Sequence, residues 1–161
     1  MAALELLNIP VVERVGGGRA NIIVRGIDPV SRELRTDFKI VAGRDFEPGK
    51  GECIVSTNLS RRFKGAALGD LLKCGEKEQY RVVGLFTAGG SAAESEVWVD
   101  RKDLEQRTAR EGSVSSVQIR AASAEDFKRL TETIENDNRF KLAVKSEKDY
   151  FAAQEGSSRV F

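Results

Sequence analysis

The stretch from Val114 to Val144, VSSVQIRAASAEDFKRLTETIENDNRFKLAV, decides the predicted fold class. Apolar and polar residues alternate as far as Ala121, which predicts a strand. Ser123 followed by Asp126 is a capping-box pattern and predicts the start of a helix. Residues Phe140 to Val144 predict the next strand. Strand, helix and strand joined by short connections predict an α+β fold, with a mixed or antiparallel sheet and helices packed on one face.

The rest of the chain extends this pattern in both directions. The helix after Ser123 is amphipathic, because Phe127, Leu130 and Ile134 fall on one side of it. Short helices are also predicted after Ser56 or Thr57, after Asp100 and after Ser146. Further strands are predicted at residues 4–13, 21–25, 38–42, 52–55, 71–73, 80–86 and 97–99, with Pro10 confining the first of them to an edge.

Length and composition describe an ordinary folded domain. The chain has 161 residues, of which 40% are hydrophobic and 32% charged. This length predicts a single domain over residues 1–161, with room for two small lobes. Residues 1–19 form a weakly defined strand and turn, and no stretch approaches the ~18 apolar residues of a membrane span.

Composition also excludes several classes of function. The chain has no histidine, so a Ser-His-Asp triad, a His-ligated zinc site and a histidine pH switch are ruled out. With 26 basic and 25 acidic residues, the net charge of +1 provides no global field for nucleic acid or an anionic membrane. Glycines at 16–18 lack the third glycine of a dinucleotide fingerprint, since Asn21 stands there. We therefore predict no cofactor, no metal and no nucleic-acid partner.

Some polar residues could still carry chemistry. Glu94 and Glu96 would point to one face of a strand, and we expect them to be solvated rather than catalytic. The candidate nucleophiles Ser91, Ser95, Ser115 and Ser116 have no histidine as a base, and no lysine stands at a supporting spacing. The basic cluster Arg61, Arg62 and Lys64 predicts a solvated helix face. No catalytic residue is predicted.

The cysteines and the single tryptophan have structural interpretations. Cys53 and Cys74 lie in or beside predicted strands without metal-ligand spacing, which favours two buried thiols, with a disulfide as the alternative. Trp98 is predicted to fill the core or a contact between lobes.

The loop of small residues from Thr87 to Ala93 is a connection or a partner contact. Gly89, Gly90, Ser91 and the following Ser95 are the candidate contact residues.

A series of short segments resembles a known family. The segments are VRGIDP at 24–29, IVAGRDF at 40–46, ECIV at 52–55, LGD at 68–70 and YRVVGLF at 80–86. AGGS at 88–91 leading into SEVW at 95–98 is similar to one subgroup. Together, over residues 20–155, they resemble the MacB-type periplasmic core domain of FtsX-like ABC transporter permeases. The strand–helix–strand that precedes these segments in the fuller family domain is expected to be absent here or reduced to residues 1–19.

The resemblance implies a non-catalytic domain on the extracytoplasmic side of the membrane. Such a domain engages a substrate or a periplasmic partner and relays motion driven by an ABC ATPase through the membrane helices of the permease. Relatives serve efflux, lipoprotein release or control of cell-wall hydrolases. A domain tethered at both ends to membrane helices is expected to have its chain ends on the same side.

Two alternatives come from other classes. A stand-alone binding or adaptor module would expose a large contiguous apolar patch. A Ser-Lys or dicarboxylate hydrolase would collect Glu94, Glu96 or a lysine beside an exposed serine in a deep pocket.

Overall fold

The computed structural model describes residues 1–158 of the chain. The described strands are β1 (Ala2–Asn8), β2 (Val11–Glu13), β3 (Arg19–Asn21), β4 (Ile23–Ile27), β5 (Phe38–Gly43), β6 (Glu52–Ser56), β7 (Leu71–Lys73), β8 (Gln79–Ala88), β9 (Glu96–Asp100) and β10 (Ser116–Ile119). The helices are α1 (Pro29–Leu34), α2 (Thr57–Arg62), α3 (Arg101–Arg107), α4 (Ala124–Glu135) and α5 (Glu147–Ser158), with a 3₁₀ helix over Ala92–Ser95. None of these helices is long and apolar enough to cross a bilayer.

The chain divides into two compact units. Residues Ala2–Gln118 form the first unit, and Met1 together with residues from Ile119 onward forms the second. The expectation about the chain ends concerns residues 159–161, which lie outside the described residues.

A mixed sheet runs through the first unit in the order β10-β1-β4-β9-β6-β8-β5, and β7 pairs with β8. Strands β4 and β9 are parallel, as are β6 and β8, whereas β1–β4, β6–β9 and β5–β8 are antiparallel. The predicted α+β class with a mixed sheet is confirmed.

One side of the sheet, which we call the aliphatic face, is covered by α2, α3 and the β2–β3 hairpin. Its buried cluster includes Val24, Cys53, Val55, Val97 and Val99 from the central strands, with Leu59 of α2, Leu104 of α3 and Val12 of β2. At Gly26, an added Cβ would lie 3.0 Å from Leu104 Cδ2. Glycine therefore lets α3 approach the sheet closely.

The other side, the ionic–aromatic face, carries the alternate residues of the same strands. Strand alternation puts Arg25 and Trp98 on this side, directly paired in the β4–β9 register. Trp98 is fully buried, with its ring centroid 4.4 Å from that of Phe86 and 5.0 Å from that of Phe38. Trp98 is thus a core residue.

Helix α1 covers this second face, so helices pack on both faces of the sheet and not on one face as predicted, and α1 itself was not predicted from the sequence. Asp28 stands at the N-cap and Pro29 in the first turn, where a proline loses no intrahelical hydrogen bond. The sequence analysis predicts only the strand at 21–25 in this region, although an Asp–Pro pair is a helix-start signal.

Two predicted strands differ from the structure. The stretch 4–13 breaks at residues 9–10, so Pro10 lies outside the ladder, and β1 lies between β10 and β4 rather than at the sheet edge. Residues Phe140–Val144 form no strand; Phe140 is 58% exposed. The amide of Val144 donates instead to Glu135 Oε1 of α4 at 3.1 Å, so local side-chain bonding replaces a ladder.

The predicted helix in the second unit is confirmed as α4. The amide of Asp126 donates to Ser123 Oγ at 3.1 Å, as the capping pattern predicts. Its apolar side remains accessible, with Phe127 41% and Leu130 36% exposed. Helix α4 therefore has no buried residue among those described.

Candidate functional site

The candidate site is the loop from Gly89 to Ser95, between β8 and β9. Gly89 and Gly90 have φ values of 62° and 75°, which a side chain would make strained, and they turn the chain directly after β8. The predicted loop from Thr87 to Ala93 is shorter in the structure. Strand β8 continues to Ala88, and the 3₁₀ helix begins at Ala92.

Glu94 holds this loop in one conformation. Its Oε1 accepts hydrogen bonds from the amide of Ala88 at 3.1 Å and from the amide of Gly90 at 3.0 Å. The amide of Ser91 also donates to the carbonyl of Ala88 at 3.1 Å. A carboxylate that accepts two amide hydrogen bonds fixes the turn without help from a ligand.

One buried side chain, that of Ala93, anchors the loop in the core. Ala93 is 4% exposed and belongs to the same buried cluster as Phe86 and Trp98. Gly89 lies against the connection between α1 and β5, since a Cβ there would be 3.0 Å from Asp37 Cβ. The loop is therefore packed on the aromatic part of the ionic–aromatic face.

All four predicted contact residues lie on the outside of the loop. Gly89, Gly90, Ser91 and Ser95 are exposed, while Ala93 and Glu94 point toward the protein. Sequence reasoning did not find the roles of Ala93 and Glu94. A carboxylate a few residues after a glycine turn is the only local signal for such a clamp.

The expectation that Glu94 and Glu96 share a solvated strand face is wrong. Glu94 lies in the 3₁₀ helix, and Glu96 is 1% exposed at the start of β9. Glu96 accepts two hydrogen bonds from Arg25, Nε to Oε2 at 2.8 Å and Nη2 to Oε1 at 2.7 Å. The indole Nε1 of Trp98 donates to Glu96 Oε2 at 2.7 Å. Glu94 and Glu96 therefore have different partners: Glu94 accepts from backbone amides of the loop, and Glu96 accepts from the side chains of Arg25 and Trp98.

The same arginine joins a second buried carboxylate. Arg25 Nη1 donates to Glu5 Oε2 at 2.7 Å, and Arg35 Nη1 donates to Glu5 Oε1 at 2.7 Å. Burial acts to raise the pKa of Glu5, but hydrogen bonds and attraction from Arg35 and Arg25 lower it overall. The charge network Glu5–Arg25–Glu96 thus links β1, β4 and β9, and Arg35 extends it to the end of α1.

Arg32 of α1 lies over the aromatic cluster next to this network. Its guanidinium carbon is 4.5 Å from the ring centroid of Phe38, 5.0 Å from that of Phe46 and 5.3 Å from that of Trp98. Burial lowers the pKa of Arg32 to about 10, although its ion pair with Asp45 opposes this effect. Arg32 remains cationic at neutral pH and closes the face by cation–π contact.

The remaining candidate nucleophiles have structural surroundings. Cys53 is fully buried in β6 and Cys74 half-buried after β7, and neither forms a disulfide in this structure. Burial raises the pKa of both thiols, which keeps them protonated. Ser115 Oγ accepts a hydrogen bond from the amide of Leu7 at 2.9 Å. Where side chains are described, over residues 1–153, no group of three or more metal-binding side chains is assembled.

Solved structures share the fold of this chain. The extracellular domain of the noncanonic ABC-type transporter YknZ from Gram-positive bacteria superposes with a TM-score of 0.64 at 19% identity, over 86% of this chain and 75% of that one. The periplasmic region of MacB from Actinobacillus actinomycetemcomitans gives a TM-score of 0.60 at 12% identity, over 95% and 75% of the two chains. A domain from Porphyromonas gingivalis described as part of a permease gives 0.53 at 14% identity, over 84% and 62%.

No protein-family profile and no curated protein matches the sequence. The three likenesses show the fold, and it is the fold that the resemblance in the sequence implies.

Proposed function

We propose that this chain is the extracytoplasmic domain of an ABC transporter permease and has no catalytic activity of its own. The observation that supports this most is the superposition on the extracellular domain of YknZ, at a TM-score of 0.64 over 86% of the chain. The segments at 24–29, 40–46 and 80–86, which carry the resemblance, contribute to β4, β5 and β8 of the mixed sheet. The domain lies outside the membrane and is joined to the membrane helices of the parent permease.

The Gly89–Ser95 loop is the surface with which this domain engages its substrate or a partner protein. Its outer residues are exposed while Glu94 and Ala93 hold it in place. A contact surface that is already ordered loses little conformational entropy on binding. Small outer side chains also leave room for a partner to approach the backbone.

The Glu5–Arg25–Glu96 network suits the domain to relaying ATPase-driven motion. Three neighbouring strands are joined by charge-assisted hydrogen bonds of 2.7–2.8 Å in the core. Strands joined in this way move together as one rigid body. Hinge and shear motions displace rigid bodies of this kind relative to one another. A displacement of the membrane helices would then be transmitted to the Gly89–Ser95 loop without deforming the sheet.

A non-catalytic role agrees with the surroundings of the acidic and nucleophilic groups. Glu96 is neutralised by Arg25, Glu94 is held by backbone amides, and burial keeps the thiols protonated. Ser91 and Ser95 are exposed on the outside of the loop. These residues do not converge on one point, which acid–base or nucleophilic catalysis would need.

The test uses the parent permease, reconstituted with its ATPase in liposomes. Ser91→Arg combined with Ser95→Arg places bulk and charge on the loop, and Ala122→Arg with Thr133→Arg, both exposed in the second unit, is the matched control. The loop variant is expected to lower the substrate transported per ATP hydrolysed, whereas the control variant keeps the ratio of the unmodified permease. A parent gene without membrane helices, or substrate turnover by the isolated chain, would overturn the proposal.

A second candidate function is that of a stand-alone binding or adaptor module. It is favoured by one observation, the exposed apolar side chains of the second unit, namely Phe127, Leu130, Phe140 and Leu142, which are 36–60% exposed. The two functions are distinguished by the parent gene, because an adaptor requires neither flanking apolar spans nor an adjacent ATPase gene.

A further inference from the structure

The β2–β3 hairpin and the residues just before it carry exposed aliphatic side chains that do not pack in the core. Val12 is 4% exposed and anchors the hairpin in the aliphatic core. Around it, Ile9 is 58%, Val11 46% and Val15 60% exposed. Residues 16–18 close the hairpin as a glycine turn, with φ values of 95° at Gly17 and 78° at Gly18. The result is a narrow projection with an apolar surface.

Backbone hydrogen bonds dock this hairpin onto the end of α2. The amide of Val15 donates to the carbonyl of Arg62 at 2.9 Å, and the amide of Lys64 donates to the carbonyl of Glu13 at 2.9 Å. Arg14 also forms an isolated bridge with Phe63. These contacts fix the basic end of α2 beside the exposed aliphatic residues.

We call the resulting surface the hairpin patch and define it by Ile9, Val11, Val15 and six exposed cations, Arg14, Arg19, Arg61, Arg62, Lys64 and Lys73. Lys64 pairs with Glu13 at 3.1 Å. Among residues 1–153, whose side chains the structure describes, the other five cations of the patch have no carboxylate within ion-pair distance. Since the whole chain carries only +1, the rest of the chain is net negative. The near-neutral total therefore conceals a concentrated positive surface.

A cleft within the patch is large enough to hold an anionic group. It has a volume of about 410 Å³, and its apolar lining includes Val11 and Leu71. Its charged lining is Arg19, Lys64 and Lys73 with one carboxylate, Glu13, which is paired with Lys64 at 3.1 Å, so the cations remain in excess. A site of this composition favours a ligand that carries a negative charge beside an aliphatic portion.

We propose that the hairpin patch docks on the surface of an anionic lipid bilayer, with a lipid phosphate in the cleft and the exposed aliphatic side chains at the level of the headgroups. Interfacial binding combines buried apolar area with attraction between Lys or Arg and anionic lipid, which is the combination found here. Nucleic acid fits less well, because the exposed apolar side chains of the patch are aliphatic and offer no stacking surface. A free anion would leave Ile9 and Val15 without a role.

This inference goes beyond the proposed function and does not rest on it, since it uses only contacts and charges of the hairpin and α2. The test is co-sedimentation of the full chain with vesicles of phosphatidylcholine, alone or mixed with phosphatidylglycerol. The chain is expected to bind the mixed vesicles, to bind phosphatidylcholine weakly, and to dissociate as salt is added.

The deciding variant combines Arg14→Ser, Arg19→Ser and Lys73→Ser, all exposed positions without an ion pair. Its matched control removes three exposed lysines elsewhere, Lys39→Ser, Lys102→Ser and Lys128→Ser. At roughly 1 kcal/mol for each of the three cations, the patch variant should lose about a hundredfold in partition coefficient, while the control keeps most of the binding. Circular dichroism checks that both variants are folded.

A second variant, Val11→Ser with Val15→Ser, tests the aliphatic part. It should weaken binding while leaving the salt dependence in place. Equal binding to both kinds of vesicle, no binding at all, or equal losses in the patch and control variants would overturn the proposal. Displacement from vesicles by soluble glycerol phosphate would overturn it as well, because the cleft would then serve a free anion.

Discussion

The two faces of the sheet are stabilised by different kinds of interaction, although the same strands supply the side chains of both faces. On the aliphatic face, Val97, Val99 and Val55 bury apolar area, which is a non-directional gain. On the ionic–aromatic face, Arg25 and Glu96 are as deeply buried, yet they are favourable only in one geometry. The aliphatic face therefore tolerates exchange of one apolar side chain for a similar one. The ionic–aromatic face instead specifies which strands must be neighbours.

The largest expected effect comes from Trp98→Ala on the ionic–aromatic face. The variant removes a fully buried ring and the indole hydrogen bond to Glu96. We expect a loss of about 5 kcal/mol in the free energy of unfolding, from the cavity and from the weakened hydrogen bonding of a buried charge. Urea denaturation followed by circular dichroism measures it, and a loss below about 1 kcal/mol would mean that the ring is not in the core.

Arg25→Leu separates charge from volume on the same face. The variant leaves Glu96 and Glu5 buried without their main partner, so we expect a loss of roughly 3–5 kcal/mol. Removing all three charges, as Arg25→Leu with Glu5→Gln and Glu96→Gln, should cost less than the single change. If the single variant were as stable as the unmodified protein, the contrast between the two faces would disappear.

Leu104→Ala is the corresponding change on the aliphatic face. The side chain is fully buried between α3 and the sheet, so its truncation should cost roughly 2–4 kcal/mol. Leu104→Met, which conserves volume, should restore most of this stability. The same denaturation experiment compares the pair, and a Met variant as unstable as the Ala variant would show that this face is also geometrically strict.

Acid should weaken the ionic–aromatic face through protonation of Glu5. The folded pKa of Glu5 lies below its usual 4.5, so its stabilising contribution is complete above that pH and is lost as the pH falls through the folded value. The free energy of unfolding of the unmodified protein should therefore decline on acidification more than that of Glu5→Gln. Parallel pH profiles of the two proteins would contradict the lowered pKa.

The smallest expected effect lies at the loop that rests on this face. Glu94→Ala removes the acceptor of two amide hydrogen bonds and should cost about 1 kcal/mol, with faster amide hydrogen exchange at Gly90. Glu94→Gln keeps an oxygen in that position and should exchange like the unmodified protein. Unchanged exchange at Gly90 in the Ala variant would show that Glu94 does not hold the loop.

Much of the sheet could be predicted because its local signals agree with its tertiary surroundings. Strand β8 and the Ser56 cap of α2 lie where the sequence places them, with the amide of Leu59 donating to Ser56 Oγ at 3.3 Å. Helix α1 was missed because it has only six residues and is stabilised by contacts of its arginines rather than by an apolar stripe. The segment Phe140–Val144 was misassigned because alternation indicates a strand only where a neighbour pairs with it.

In the Gly89–Ser95 loop, the sequence indicated that the four small residues could be accessible to a partner. It did not indicate that Glu94 holds the loop by hydrogen bonds to backbone amides. Its two amide partners become available only once the glycines adopt positive φ angles. The expectation of solvated carboxylates failed at Glu96 for a related reason, since its partner Arg25 lies 71 residues away along the chain.

By itself, then, the amino-acid order determined where turns, caps and apolar strands occur, because those depend on backbone preferences and hydrogen bonds within a few residues. Only the folded molecule decided that Arg25 and Glu96 meet in the interior, and that Arg19, Lys64 and Lys73 line one cleft. Pairing of charges across strands depends on sheet order and register, and these are set by the summed packing of the whole domain rather than by any one segment.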